Sequence, residues 1–357
     1  MLNDTNLSTL LLLLLLLLLG GFPSFPISPY QAQAPSHLQH SKSALMALTT
    51  KQRALAAVTG GFVADAATMG LHWIYDGEKM KQLVAARGPN GPEFYEPPSC
   101  PFYSYESGAL SPYGDEIFPL LQDVAERGEF VPDEFALVSY RAAKAYSGRL
   151  NSVFKEMVVK GDAGKKYPDL ASPSKDLHGG IKAPVLVARY FDDTPLLVQK
   201  TREAVRVHEI GAESEEAAVA TALLIQQVVK GVSVPEAISA LTRNEDIGAD
   251  IRTSVQQVID AVSAKTFEDA TAAVAHFGKP CSLPGVLQGS LFVLLTYNSY
   301  VEALRANMLA GGDNCSRAIV IGAITAAAEG GEAIPAEWKQ KAVVYAQVQA
   351  MAEKIVQ

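Results

Sequence analysis

From about Lys51 onward, apolar residues recur at three- and four-residue intervals, the spacing that lines one face of an α-helix. The stretch KQRALAAVTGGFVADAATMGLHWIYD sets Leu55, Val58, Phe62 and Val63 on such a stripe. SEEAAVATALLIQQVVKG repeats the pattern and is punctuated as a complete helix, with glutamates first and Lys-Gly last. The same periodicity predicts helices in DEIFPLLQDVAERG, DEFALVSYRAAKAYSG, SVPEAISALTRNED, DIRTSVQQVIDAVSA, TFEDATAAVAHFG, VLQGSLFVLLTYNSYVEALRANMLAGG and AEWKQKAVVYAQVQAMAEKIV, each bounded by Gly, Pro, Asn or Asp. No convincing run alternates polar and apolar positions as strands do. The expected fold is all-α, one compact multi-helix globule over residues 51–357, with chemistry in loops and helix termini facing a cleft.

Two stretches depart from this pattern. RGPNGPEFYEPPSCPFYSYESGALSPYGDE has no helical stripe, and an irregular segment of that length and aromatic content is expected to line a site. Residues 1–50 hold an unbroken leucine run, Leu10 to Leu19, followed by a Pro-, Ser- and Gln-rich stretch, and no acid occurs between Asp4 and Asp65. The run is shorter than the ~20 residues a spanning helix needs. It has the length of a signal-peptide core, yet no Lys or Arg precedes it. Residues 1–50 are therefore expected to be a targeting-like tract and linker outside the fold. Two readings stay open: an address for the secretory pathway or an organelle, and a low-complexity tract on a cytoplasmic protein.

Composition narrows the partners. A net charge of −8 with no Lys/Arg-rich run argues against a nucleic-acid binder, which needs a concentrated basic face. The cysteines Cys100, Cys281 and Cys315 are odd in number and lack metal-finger spacing, which fits a reducing compartment. With 357 residues and 48% hydrophobic content, the chain can bury a large core.

Candidate chemistry rests on a few acids and histidines. Asp65 and His72 are seven residues apart, about two helical turns, and are expected on nearly one face of a helix. Asp115 and Glu116 follow SPYG at the start of another predicted helix, where acids favour the positive end of the macrodipole. Asp313, after two glycines, is placed to cap the next helix through the backbone of Ser316 or Arg317. His178, Gly179, Gly180 and Lys182 read either as a phosphate-contacting loop or as a turn with an exposed histidine. Cys315 reads either as an activated thiol at a helix N-terminus or as a buried small residue. His208 is expected to make a structural hydrogen bond, and His276 to end a helix.

Taken in order, these motifs resemble the ADP-ribosylglycohydrolase family, most nearly its J-type crystallin branch. GGFVADAATMGLHWIYD is similar to the family's first Gly-Asp-Ala-Leu-Gly motif, and GGDNCSRAIVIGAITAAAEGGEAIPAEW to its Gly-Gly-Asp-Thr-Asp-Thr motif and Ile-Pro-x-x-Trp ending. LHGGIKAPVL and RVHEIGAESEEAAVATALLIQQVVKG stand where the family has its Asn-Gly loop and its Thr-His helix. The resemblance implies an all-helical body whose cleft holds two magnesium ions and hydrolyses a glycosidic bond to ADP-ribose in a modified protein or small molecule. It places Asp115, Glu116, Asp313 and Ser316 as metal ligands, Asp65 and His72 as the groups that position or deprotonate water, and His178, Gly179, Gly180 and Lys182 on the substrate. Trp73, Tyr103 and Tyr105 either face the nucleotide or pack ordinarily. Two departures count against a full site: Gly114 replaces one acid of the Thr-Asp-Asp-Thr motif, and Cys315 replaces a second aspartate with a soft ligand that magnesium disfavours. The expectation is therefore a hydrolase with a reduced magnesium site or, alternatively, an inactive ADP-ribose-binding or crystallin-like structural protein.

Overall fold

Leu48 to Val356 are the residues described by the structure, a computed structural model, and sixteen α-helices carry them. In chain order these begin with α1 (Thr50–Thr68), α2 (Gly77–Arg87), α3 (Pro112–Arg127), α4 (Pro132–Ala145), α5 (Ser152–Asp162), α6 (His178–Tyr190), α7 (Thr194–Val205) and α8 (Ala212–Val229). They continue with α9 (Val234–Leu241), α10 (Ala249–Ser263), α11 (Ala270–Phe277), α12 (Gly285–Thr296), α13 (Tyr300–Ala310), α14 (Asn314–Glu329), α15 (Ala336–Lys341) and α16 (Tyr345–Ile355). Extended structure among the described residues is a parallel two-residue pair, β1 (Ser172–Pro173) with β2 (Glu209–Ile210). The described residues belong to one compact unit. The leucine tract and any address it carries lie outside the described residues.

The centre is an antiparallel pair, α1 against α14. Arg53 reaches the carbonyls of Ala327 and Ala328, Gly60 lies against Gly322 and Ala326, and the Cys315 thiol approaches the Asp65 carbonyl. Small residues permit this approach of backbone to backbone. A Cβ on Gly60 would sit 2.4 Å from Ala326 Cβ and 2.6 Å from the Gly322 carbonyl; one on Gly322 would sit 2.4 Å from Ala64 Cβ. Both helices are apolar nearly all round, as befits interior helices. The span Thr50–Leu71 is long and apolar enough to cross a bilayer, but 94% of its apolar window is buried within the protein, so it reads as a core helix. The antiparallel pairing brings the C-terminal end of α1 and the N-terminal end of α14 together, and with them Asp65 and Asp313.

The helical periodicity also mislocates some boundaries. VLQGSLFVLLTYNSYVEALRANMLAGG divides into α12 and α13, because Tyr297 is extended and Ser299 caps α13 by accepting from the Glu302 amide at 3.3 Å. The last predicted helix breaks at Ala342. LHGGIKAPVL, read as a loop, begins α6, and nearly every residue of α6 is buried despite Gly179, Gly180 and an internal Pro184. Tertiary burial outweighs the poor helix propensity there.

Candidate functional site

Asp313 anchors the site. Gly311 and Gly312 precede it in the left-handed region, at φ 69° and 65°, which only glycine adopts freely. Through this turn Gly312 bridges to Ile74, and the Trp73 amide donates to the Gly312 carbonyl at 2.9 Å. Trp73 itself has φ 58°, an uncommon conformation for a bulky residue. The strained crossing carries His72 and Trp73 onto Asp313. His72 Nε2 lies 2.9 Å from Asp313 Oδ1, the Trp73 indole N–H donates to the same oxygen at 3.1 Å, and the Ser316 hydroxyl donates to Oδ2. Asp313 occupies the N-cap position of α14, but its carboxylate caps no backbone amide.

Asp65 and His72 do not share a helix face, because α1 ends at Thr68 and the single 3₁₀ turn Met69–Leu71 redirects the chain. His72 reaches Asp313 from this extended crossing instead. Burial pushes the His72 imidazole below its usual pKa against the pull of Asp313. As a neutral ring, its Nε2–H tautomer donates to Asp313 and its Nδ1, 2.9 Å from the Tyr103 hydroxyl, accepts from it. Burial alone would raise the Asp313 carboxyl; hydrogen bonds from His72 and Ser316 and the nearby Arg317 charge outweigh it and hold the group anionic. Arg317 is fully buried, donating to Asn307 Oδ1 at 2.8 Å and to the Gly311 carbonyl.

Asp65 faces the start of α3. Its oxygens accept from the Ser111 amide at 2.7 Å and the Ser111 hydroxyl at 2.5 Å, and Ser111 in turn caps α3. Burial raises the Asp65 pKa to about 7; the Ser111 hydrogen bonds oppose this, while the charges of Asp115 and Asp313 add to it. Asp65 thus feels the charge of both other acids. The glycine at 114 has a local reason, since a Cβ there would lie 2.2 Å from Asp65 Oδ2. Asp115 accepts from the Tyr146 hydroxyl at 2.7 Å, and burial raises its pKa to about 6.

Glu116 faces a second polar cluster. His178 Nδ1 lies 2.7 Å from its Oε2 and Lys182 Nζ donates to its Oε1 at 3.0 Å, all three side chains being buried. Burial would raise the Glu116 carboxyl, but the His178 and Lys182 charges outweigh it and hold the group low; reciprocally, against its own burial, His178 rises to about 9. His178 is therefore not an exposed turn histidine, because the first turn of α6 points it inward. Gly179 and Gly180 serve packing: a Cβ on Gly179 would meet Val205 at 2.6 Å, and one on Gly180 would meet Leu177 at 2.7 Å. His208 makes the expected structural contact, with Ser139 Oγ 2.6 Å from Nε2. Cys315 is buried and its thiol pKa is raised by that burial, so the activated-thiol reading falls.

Several contributors carry little sequence signal. Tyr103 and Tyr105 stack at 4.1 Å in the irregular stretch expected to line the site. Ser111 is legible as a cap before proline, and Arg317 as a lone charge in an apolar helix. Nothing marks Tyr146 or Arg149. Beside Asp115 and Glu116, under Tyr146, Arg149 and Asn151, the cleft encloses about 50 Å³, far below the roughly 300–1,000 Å³ of pockets that bury a ligand of nucleotide size.

Magnesium takes about six oxygen ligands. A carboxylate offers about four acceptor directions; Asp313 uses three on His72, Trp73 and Ser316, and Glu116 is held by a lysine and a histidine. Among the described residues, no group of three or more His, Cys, Asp or Glu side chains is placed to hold a metal ion. In this arrangement the acids do not fit a magnesium shell.

Comparison with known proteins gives a consistent result. The sequence profile of the family described as ADP-ribosylglycohydrolase matches residues 46–357. Crystallin J1A of Tripedalia cystophora is 28% identical over 304 residues, covering 81% of this chain and 91% of that protein. Crystallin J1B of the same organism is 26% identical over 321 residues, covering 86% and 97%. A solved structure titled ADP-ribosylglycohydrolase-related protein complex superposes with TM-score 0.63 at 19% identity, covering 86% of this chain and 98% of that one, a likeness of fold.

Proposed function

Starting from a chain that belongs to the ADP-ribosylglycohydrolase family, we propose that this member keeps the helical body without its hydrolysis and serves as a crystallin-like structural protein. The observation that carries this reading is Asp313, whose carboxylate is engaged by His72, Trp73 and Ser316. A group bound this way closes the core instead of offering oxygens to an ion. The relatives named crystallins point the same way. A densely packed body with net charge −8, which works against self-association, suits a protein held at high concentration.

The test uses the full chain with magnesium and ADP-ribosylated protein as substrate. The expected result is no release of ADP-ribose, no calorimetric heat with magnesium or ADP-ribose, and an unfolding midpoint unmoved by chelator. Magnesium-dependent release that follows enzyme concentration restores the reduced-site hydrolase and ends the structural reading.

A further inference from the structure

Residues 146–151 join α4 to α5, and both ends of this segment are tied to the neighbouring acids of α3. The Tyr146 hydroxyl donates to Asp115 at 2.7 Å, and Asn151 Nδ2 donates to Glu116 at 3.4 Å. Between them the Arg149 amide donates to the Tyr105 hydroxyl at 2.9 Å, and the Tyr105 and Tyr146 hydroxyls meet at 2.8 Å. The Arg149 guanidinium lies 4.7 Å from the Phe102 ring centre and 5.5 Å from that of Trp73. Gly148 allows this close seating, since a Cβ there would fall 2.2 Å from the Tyr105 hydroxyl.

We propose that residues 146–151 form a strap that closes the acidic cleft, with Arg149 as its latch across Trp73 and Phe102, and that the strap opens independently of the helical body. Two features favour a movable closure over a fixed wall. Its contacts are a few hydrogen bonds and two cation–π contacts at a solvent-exposed arginine, each individually weak in water. The helices on either side are held by their own apolar faces: Phe135 and Ala136 of α4 and Val153, Phe154 and Met157 of α5 are buried, so releasing the strap leaves them seated. Opening uncovers Asp115 and the Trp73 ring beside the already exposed Phe102, and access to the cleft is then set by this chain's own arginine. The inference concerns access alone and stands whether or not the acids beneath are catalytically silent.

Hydrogen-exchange mass spectrometry on the full chain tests it, with wild type, Arg149→Ala and Arg149→Lys compared. In Arg149→Ala, amides of 146–151 are expected to exchange about tenfold faster, with α1 and α14 unchanged. Acrylamide quenching should rise as well; it reads Trp73, because Trp338, the other of the two tryptophans, is buried. Arg149→Lys, which keeps the charge but not the planar group, should fall between the two. Equal exchange in wild type and Arg149→Ala overturns the latch. Faster exchange spread across all helices also overturns it, because Arg149 would then support the whole fold.

Discussion

Replacing Asp313 by alanine separates a structural carboxylate from a metal-binding one by the sign of its effect. The substitution removes the acceptor of three donors: His72 Nε2–H, the Trp73 indole N–H and the Ser316 hydroxyl. His72, Ser316 and Asp313 are fully buried, so little water reaches the orphaned groups. Each unsatisfied buried donor costs about 1–3 kcal/mol, and Arg317 loses the carboxylate charge that most offsets the burial of its guanidinium. Because these contacts form one network and are not additive, a loss of roughly 4 kcal/mol is expected. Urea unfolding in the presence of EDTA measures it, as a lower midpoint with an unchanged slope. A carboxylate gathered to bind an ion behaves oppositely without the ion: removing one of several crowded acids relieves repulsion and stabilises the chain. An Asp313→Ala variant as stable as wild type in EDTA, or more stable, refutes the structural account.

Two further substitutions probe the surrounding scaffold. Asp65 has a folded pKa of about 7 against an ordinary 3.8, so between those values the folded state holds the extra proton, and its contribution to stability falls as pH rises from about 4 to 7, by roughly 4 kcal/mol in total. Asp65→Asn does not titrate; its carbonyl oxygen can accept from the Ser111 amide while its NH2 donates to the Ser111 hydroxyl oxygen, so its stability relative to wild type should improve from pH 5 to pH 8 in urea titrations; a gap independent of pH contradicts the buried-charge argument. Gly322→Ala should lower the thermal midpoint by an amount equivalent to about 1–3 kcal/mol, since the new methyl meets Ala64 and the Gly60 carbonyl. A gain of up to about 1 kcal/mol, the usual result of Gly→Ala in a helix, would show that the α1–α14 contact is looser than described.

Much of the fold was legible in the sequence because the helices carry their own periodic signal. The stripe of α1, the glutamates that open α8 and the small-residue run of α14 can each be read without knowing their neighbours. His178 and Lys182 were harder: Gly-Gly and Pro184 argue locally for a loop, and only burial against Glu116 makes that stretch a helix. Asp313 was legible as a position of interest and misjudged as a backbone cap, because its partner His72 lies 241 residues away. The pairing of Asp65 with His72 failed for a related reason, since periodicity cannot reveal that a helix stops at Thr68 and that Trp73 turns the chain with a positive φ.

By itself, the sequence settled the all-helical class, the excess of acid over base and the approximate places where the important carboxylates stand. Each of those depends on residues close together along the chain. The tertiary structure alone decided what the carboxylates do, since the partners of Asp313, Asp65 and Glu116 arrive from distant segments and are chosen by how helices pack. A buried acid must find a compensating donor, and which donor reaches it is a property of the assembled core.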